Sequence, residues 1–204
     1  MENKADQYYS KNPSSKSEER EIEYIIQDKK IKFIVDNGVF SKEHVDIATN
    51  FMLNILINEN IYGNVLDLGC GYGTIGITLK SFFKDIKVTM IDINERAVGL
   101  ANKNVELNHL SDFTIKESNG FEVINDNDRF DFIITNPPIR AGKQVIYKMY
   151  EDAYKHLKQG GALYLVINKK HGAPSTKEYL SLLFSNCEVL DKKAGFNVIK
   201  CIKE

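Results

Sequence analysis

Three glycines that alternate with other residues mark the stretch where a ligand could approach the backbone most closely. The apolar run at residues 65–68 contains the acid Asp67 and is followed by Gly69, Gly71 and Gly73. Glycines in this arrangement remove the Cβ atoms that would keep a ligand away from the main chain. The pattern predicts a strand, a tight turn and the start of a helix, which together form one wall of a site for a nucleotide-type cofactor.

A second acid, Asp92, ends the next apolar run and leaves two classes of cofactor open. Gly71, Gly73 and Gly76 also form a literal G-x-G-x-x-G, which fits a nicotinamide dinucleotide. A carboxylate at the position of Asp92 can accept two hydrogen bonds from a ribose diol in either class. The charge of Asp67 would repel a pyrophosphate, so it favours a ligand that carries an ammonium or sulfonium group.

The sequence Asn136-Pro137-Pro138 follows another apolar run and could hold an amine. Two prolines fix the backbone and remove its donors. The side-chain carbonyl of Asn136 and the main-chain carbonyl of Pro137 are then two acceptors directed at one point. Such a pair can bind an exocyclic NH₂ group and direct its lone pair at an electrophile, which is catalysis by positioning.

Ser118 and Asn119 follow a third predicted strand and lie next to a glycine. Their short polar side chains could bond to the edge of an adenine. The same three residues are also typical of a plain turn, so the sequence alone leaves both interpretations open.

Alternation of strand-like and helical periods from residue 61 onward positions these motifs. It predicts an α/β fold, a doubly wound Rossmann-like sheet of seven strands with an antiparallel last strand. A β-hairpin at residues 21–35 and a helix with Ser41 as N-cap precede it and pack on it, so that residues 21–204 form one domain. The polar residues 1–20 predict a flexible arm, and Gly160-Gly161 should end the helix that starts near Lys143. The strands are predicted at 65–68, 87–92, 113–116, 131–135, 162–167, 187–192 and 197–202.

The composition of the 204-residue chain limits which cellular compartment and which binding partners are expected. No apolar run reaches the length of about 20 residues that a membrane span needs, and the net charge is −1. Residues 136–204 nevertheless carry twelve Lys and Arg against six Asp and Glu, which favours binding of phosphate groups locally. Three cysteines, an odd number without metal-type spacing, predict a cytoplasmic protein with neither a metal site nor a disulfide.

The turn at Asp67–Gly73, together with Asp92 and Asn136-Pro137-Pro138-Ile139, resembles class I S-adenosylmethionine-dependent methyltransferases that act on amino groups. The closer resemblance is to the methyltransferase small domain family, whose best-known members methylate guanine N2 of small-subunit ribosomal RNA. Segments 8–15, 38–46 and 136–143 add to this resemblance and extend it over nearly the whole chain.

The resemblance implies S-adenosylmethionine as the cofactor and ribosomal RNA or a ribosomal subunit as the partner. No metal is required, because the sulfonium is already activated. The residues implied in cofactor binding are Asp67, Gly69, Gly71, Gly73, Asp92, Ile93, Ser118, Asn119 and Asn136. Asn136 and Pro137 would act in catalysis, and the residues implied in substrate binding are Pro138, Ile139, Arg140 and Lys143. The basic residues Lys169, Lys170 and His171 would face phosphates.

One departure from the family pattern keeps other functions open. Many amino-group methyltransferases carry an aromatic residue after the two prolines, where this chain has Ile139. A protein-glutamine methyltransferase would use the same geometry, since a side-chain amide also presents NH₂. A nicotinamide-dependent oxidoreductase would use the same glycine turn, and a non-catalytic RNA-binding relative would keep the same fold.

Overall fold

The computed structural model describes residues 17–37, 39 and 44–204. Two strands form a separate hairpin and seven form one sheet, with helices on both faces of the sheet. The strands are β1 (Arg20–Ile26), β2 (Lys29–Val35), β3 (Asn64–Leu68), β4 (Lys87–Asp92), β5 (Phe113–Glu117), β6 (Phe130–Thr135), β7 (Leu157–Asn168), β8 (Asn186–Lys193) and β9 (Phe196–Ile202). The α-helices are α1 (Ile47–Leu56), α2 (Thr74–Phe82), α3 (Glu95–Leu107), α4 (Lys143–His156) and α5 (Ala173–Phe184).

The seven strands lie in the order β5-β4-β3-β6-β7-β9-β8. All neighbours pair in parallel up to β7, and β9 is antiparallel to both β7 and β8. The predicted seven-stranded, Rossmann-like sheet with an antiparallel last strand is therefore confirmed. The chain turns back between β3 and β6, and in such sheets ligands bind outside the carboxyl ends of the strands at this point.

Alternate side chains of the central strands pack into two cores, one on each face of the sheet. Val65 of β3 points to the face covered by α1, α2, α3 and the hairpin, whereas Leu66 points to the face covered by α4 and α5. Both side chains are completely buried. Burial on both faces explains why the strands read as continuous apolar runs rather than as alternating ones.

The N-terminal hairpin is attached to the sheet domain through two asparagines of the α3 segment. The Asn104 side chain accepts from the main-chain N–H of Ile34 at 2.6 Å and donates to the carbonyl of the same residue at 2.9 Å. Asn108 forms the equivalent pair with Lys32. Both side chains thus imitate a neighbouring strand along the free edge of β2. The hairpin was predicted from the sequence, but this mode of attachment was not.

Two predicted helix boundaries are wrong. Helix α1 begins at Ile47, and its N-cap is Asp46, whose carboxylate accepts from the N–H of Thr49 at 2.9 Å. The predicted cap Ser41 lies outside the described residues, and His44, which that cap would place in the first turn of the helix, is not helical. Helix α4 ends at His156, because Leu157 already pairs with Phe130 of β6, and Gly160-Gly161 lie inside β7 rather than at the helix end.

The prediction that the cysteines form no disulfide is also wrong. Cys187 and Cys201 are directly opposed on β8 and β9, with Cα atoms 4.2 Å apart, and they form a disulfide. The expectation relied on the odd number of cysteines, which says nothing about which two strands become neighbours. Cys70 is free and buried in the glycine turn. Among the described residues, no helix is both long and apolar enough to cross a bilayer.

Candidate active site

A cavity of about 1000 Å³ opens at the carboxyl ends of β3, β4 and β6. Most of the residues that the sequence singled out meet there, although they come from four separate stretches of chain. The predicted site residues that line this cavity are Gly69, Gly71, Asp92, Ile93, Ser118, Asn119, Asn136, Pro137 and Pro138. The fold therefore places the glycine turn and the Asn-Pro-Pro motif on the walls of a single pocket.

The first two glycines of the turn leave the backbone open toward this cavity. Gly69 and Gly71 have φ angles of +75° and +55°, which favour glycine, and a Cβ atom at either position would meet no atom within 4 Å. The N–H of Gly69 donates to the carbonyl of Ile91 in the neighbouring strand. The turn is thus held against the end of β4 while its outer side is free for a ligand.

Gly73 and Asp67 lie behind this wall and are not among the residues that line the cavity. A Cβ at Gly73 would lie 2.9 Å from the Cδ1 of Ile77, so this glycine faces the core. Asp67 is completely buried, and its Oδ2 accepts from the N–H of Gly76 in the first turn of α2 at 2.9 Å. Direct contact of Gly73 or Asp67 with a cofactor stays a prediction.

The buried carboxylate of Asp67 has two consequences for the site. Burial raises its pKa from 3.8 to about 7, and its Oδ1 has no hydrogen-bond partner among the described residues. The carboxylate also occupies the N-terminus of α2, which is where a dinucleotide site binds its pyrophosphate. The N–H of Gly76 is already used by Asp67 and is not available to a pyrophosphate, so the geometry disfavours a nicotinamide dinucleotide.

Asp92 ends β4 at the cavity wall and is held in place by the backbone. Its Oδ2 accepts from the N–H of Gly71 at 2.8 Å, and its Oδ1 accepts from the N–H of Asn94 at 2.9 Å. Burial raises the pKa of this carboxyl. A carboxylate has about four acceptor positions, so the oxygens keep lone pairs for a ligand diol. This arrangement suits the two hydroxyls of a ribose.

The side chains of Ser118 and Asn119 are engaged in local hydrogen bonds. The Ser118 hydroxyl donates to the carbonyl of Gly120 at 2.7 Å, and the Asn119 amide donates to Glu122 at 2.9 Å. Phe121, which the sequence analysis missed, also lines the cavity and stacks on His156 with 5.1 Å between ring centroids. An aromatic residue directly after the polar turn was the signal that could have identified it as an apolar contact.

Asn136 stands opposite the glycine turn with its side-chain amide fixed. Its Nδ2 donates to Oδ2 of Asp46 and to Oγ1 of Thr49, each at 3.0 Å. The preceding Thr135 donates its hydroxyl to the carbonyl of Leu68, which fixes the end of β6 against the end of β3. Because both N–H groups of the amide are used, the carbonyl oxygen of Asn136 is the group left for a substrate amine.

The proline motif continues into a short 3₁₀ turn, which explains where the other predicted substrate residues lie. The Pro137 carbonyl accepts from the N–H of Ile139 at 2.9 Å and keeps a second lone pair. Ile139 packs against the core beneath α4, and Arg140 and Lys143 are exposed outside the cavity wall. Only Pro138 of the four predicted substrate residues lines the cavity. The wall beyond it is formed by Ala141, Gln144, Val145, Lys148 and Met149.

The family model described as methyltransferase small domain matches residues 30–200 of the chain. The chain belongs to this family. It is 43% identical over 199 residues to the uncharacterized protein YbxB of Bacillus subtilis, a match that covers 98% of the chain and 99% of YbxB. A match to an uncharacterized protein does not name a substrate.

Two further relatives of this methyltransferase have named substrates. It is 36% identical over 166 residues to ribosomal RNA small subunit methyltransferase C of Actinobacillus pleuropneumoniae, a match over 79% of the chain and 49% of that protein. The structure of the T. thermophilus 16S rRNA N2 G1207 methyltransferase (RsmC), in complex with AdoMet and guanosine, matches with a TM-score of 0.82 and 28% identity. That match covers 94% of the chain and 52% of RsmC, so this methyltransferase spans about half the length of both relatives.

The family assignment establishes an S-adenosylmethionine-dependent methyltransferase, and the cavity fits this cofactor. The open backbone at Gly69 and Gly71 leaves room for the charged methionine part of the cofactor. The carboxylate of Asp92 suits its ribose, and the apolar surfaces of Ile93 and Phe121 suit its adenine. The expected cofactor and enzyme class are therefore confirmed, and the oxidoreductase alternative is set aside.

Proposed function

We propose that this methyltransferase transfers a methyl group from S-adenosylmethionine to guanine N2 in small-subunit ribosomal RNA. The observation that carries the proposal is that Asn136 and Pro137 line the same cavity as the open glycine turn, and that the hydrogen bonds of the Asn136 NH₂ group leave its oxygen, with the Pro137 carbonyl, as a pair of acceptors. An exocyclic amine has two N–H donors and fits this pair. The relatives that act on the small subunit, and the guanosine in the RsmC structure, support guanine as the base.

The residues of this chain bind and orient both reactants. Gly69, Gly71 and Asp92 hold the cofactor, which supplies a methyl group activated on a sulfonium. The target amine donates one hydrogen bond to Oδ1 of Asn136 and one to the Pro137 carbonyl, so that its lone pair faces the methyl carbon. When bound, the cofactor would supply the methyl group from its sulfonium, whose sulfur would keep the electron pair of the broken C–S bond as the N–C bond forms, and the amine proton would leave to water. Positioning of this kind lowers the barrier without a base of perturbed pKa.

A base inside a helix could not reach these acceptors, so the target guanine would have to be unpaired or flipped into the cavity. Val145 and Met149 of α4 give the cavity an apolar side against which a base can lie. The exposed Arg140 and Lys143 are the chain neighbours of Ala141 and Gln144, which line the cavity. These two cations suit phosphates next to the flipped nucleotide.

A larger basic surface lies on the same edge of the sheet. The N–H of Lys169, just after β7, donates to the carbonyl of Gly195 in the β8–β9 turn. This bond brings Lys169 and Lys170 next to the exposed residues Lys192 and Lys193. Since β7 and β8 run in the same direction as β3 and β6, all these lysines lie at the carboxyl edge that carries the cavity. A surface of this charge supports an RNA substrate.

Transfer of labelled methyl groups tests the proposal directly. Small subunits from a strain that lacks this gene, their naked RNA, and their separated proteins would each be incubated with the enzyme and tritiated S-adenosylmethionine. We expect label in RNA, recovered as N2-methylguanosine after nuclease digestion, and little label in subunits from a strain that carries the gene. Label in a protein fraction alone would overturn the RNA proposal in favour of a glutamine or other protein substrate.

A further inference from the structure

The amide of Asn136 is oriented by residues far away in the sequence. Its two hydrogen bonds go to Asp46 and Thr49, which precede it by 90 and 87 residues. Asp46 and Thr49 also line the cavity, on the side of the Asn-Pro-Pro motif. The N-cap and first turn of α1 are therefore part of the wall at which the amine would react.

Asp46 is held in turn by the helix that it caps. The same oxygen that accepts from Asn136 accepts from the N–H of Thr49 at 2.9 Å, and the Thr49 hydroxyl lies 3.3 Å away from it. A carboxylate at a helix N-terminus is stabilised by the helix dipole. Met52 and Leu53 anchor α1 in the core, where both are completely buried. The position of the carboxylate is thus fixed by a packed helix rather than by a loop.

The chemistry of a carboxylate determines which way the Asn136 amide faces. An ionised carboxylate only accepts hydrogen bonds, so it selects the orientation in which the NH₂ group of Asn136 points to α1 and the carbonyl oxygen to the cavity. The hydroxyl of Thr49 can donate or accept, and by itself it would permit either orientation. In the flipped orientation, Asn136 would present its NH₂ to the NH₂ of the substrate, and no hydrogen bond could form.

Asp46 also lies close to the cofactor side of the cavity. Its charge adds to burial in raising the pKa of Tyr72 to about 12, and Tyr72 belongs to the glycine turn. Tyr72 lines the same cavity. Asp46 thus lines the same cavity as Tyr72 of the glycine turn and Asn136 of the Asn-Pro-Pro motif.

We propose that Asp46 is a positioning residue that sets the acceptor face of Asn136 toward the substrate amine, an inference that rests on the proposed amino-group methylation. Thr49 completes the contact as the second acceptor. In this arrangement α1 has a role in the reaction, because the cap of the helix also orients the group that binds the substrate.

Two substitutions at one position separate capping from positioning. Serine is as good an N-cap as aspartate, but its hydroxyl sits on Cβ and does not extend to Asn136, so Asp46→Ser keeps the cap and removes the contact. Asp46→Asn keeps an oxygen at the position of Oδ2 and should restore most of the contact. The exposed Asn54 lies on the same helix, so Asn54→Ala serves as the matched control.

We expect Asp46→Ser to lower kcat by about 10-fold to 100-fold, the range for the loss of a hydrogen bond to a charged group. The dissociation constant for S-adenosylhomocysteine and the Tm should stay near those of the wild type. Asp46→Asn should recover activity to within a few-fold, and Asn54→Ala should match the wild type. In the Asn136→Ala background, Asp46→Ser should have no further effect, because the group that it orients is gone.

Full activity of Asp46→Ser would overturn the inference, and so would an effect that is additive with Asn136→Ala. A fall in Tm in parallel with kcat would also overturn it, because that result would assign Asp46 to the stability of α1 alone. A readout independent of the substrate is the side-chain amide signal of Asn136 in a ¹⁵N spectrum, identified by its loss in Asn136→Ala. It should shift and exchange faster in Asp46→Ser. If the wild type methylates no RNA, the proposed substrate fails while this signal still tests the positioning.

Discussion

The two sides of the cavity are built in different ways. The cofactor side consists mainly of backbone at Gly69 and Gly71 together with the carboxylate of Asp92, which accepts from that same backbone. The proposed substrate side combines the main-chain carbonyl of Pro137 with the side chain of Asn136, which is held by the side chains of Asp46 and Thr49 from the α1 segment. A wall of backbone needs particular residues at a fixed spacing and so leaves a motif in the sequence. On the substrate side only Asn136-Pro137-Pro138 forms a local motif, and the contacts of Asn136 with Asp46 and Thr49 leave no motif, because only the fold brings these residues together.

The two sides also differ in what holds them rigid. The glycine turn is continuous with a parallel sheet whose core is buried on both faces, so its shape follows from the strands. The substrate side depends on the orientation of one amide, which has two nearly isosteric positions. Substitutions should therefore have graded effects on cofactor binding at the first side, and should abolish turnover without loss of cofactor binding at the second.

The largest expected effect is that of Asn136→Ala on the substrate side. Loss of the acceptor should lower kcat by about 100-fold or more, since positioning supplies most of the catalysis. Affinity for S-adenosylhomocysteine should stay within about twofold, because the cofactor side does not depend on this side chain. Single-turnover methyl transfer and titration calorimetry would measure the two quantities. Substantial retained turnover would remove Asn136 from the mechanism and erase the contrast between the two sides.

Two glycine substitutions compare the front and the back of the cofactor turn. Gly71→Ala places a methyl group in the open space that faces the ligand, and we expect it to weaken S-adenosylhomocysteine binding by about 10-fold, at a strain cost of about 1–2 kcal/mol for its positive φ. Gly76→Ala places a methyl group 2.7 Å from the Met90 sulfur and 3.0 Å from Val88. It should lower the free energy of unfolding by about 1–3 kcal/mol by overpacking.

Denaturant unfolding of both variants, with and without ligand, would check this pair. The affinity for S-adenosylhomocysteine should fall mainly in Gly71→Ala, and the free energy of unfolding should fall mainly in Gly76→Ala. Equal effects on affinity would show that the turn responds as one unit, and the division into an open wall and a packed support would then fail.

The next effect concerns the stability cost of the buried carboxyl behind the cofactor wall. Because burial raises the pKa of Asp67 to about 7, the native state keeps a proton between about pH 4 and 7 that the unfolded chain has lost. The contribution of Asp67 to the free energy of unfolding is therefore largest below about pH 4. It falls as the pH rises to 7, by at most about 1.4 kcal/mol per pH unit. Asp67→Asn cannot titrate but still offers an acceptor to Gly76.

Urea unfolding of wild type and Asp67→Asn at several pH values from 4 to 8 would test this. The stability of the variant relative to wild type should increase up to about pH 7 and then level off. Parallel stability curves would mean that Asp67 is ionised throughout, with its unpaired oxygen compensated in another way.

The smallest expected effect is at the exposed rim of the substrate side. Arg140→Ala should raise the KM for small subunits a few-fold, reduce the salt dependence of binding by about one unit of slope, and leave kcat unchanged. Lys84→Ala provides the control, because this exposed lysine lies beyond the opposite end of the sheet, ahead of β4. A change in cofactor affinity, or an equal change in the control, would exclude a specific phosphate contact at Arg140.

The sequence was sufficient for what depends on local pattern and insufficient for what depends on neighbours in space. Apolar periodicity located all seven strands of the sheet, and the motif residues Gly69, Gly71 and Asp92 do line the cavity, while their contact with the cofactor stays a prediction. The contact between Asp46 and Asn136 could not be predicted, because nothing in the local sequence indicates a partner 90 residues away. The disulfide of Cys187 and Cys201 was missed for the same reason, since it depends on the register of two strands.

The attachment of the N-terminal hairpin links its stability to that of the ligand site. Besides the backbone of Ile34, the Asn104 amide also donates to the carbonyl of Tyr72 in the glycine turn, at 2.9 Å. One completely buried side chain thus joins the edge of the hairpin to the glycine turn, for which we propose contact with the cofactor. A bound cofactor that makes the turn more rigid should therefore also make β2 more rigid through this amide. By thermodynamic reciprocity, fraying of the hairpin must then reduce the affinity of a pocket that it does not touch.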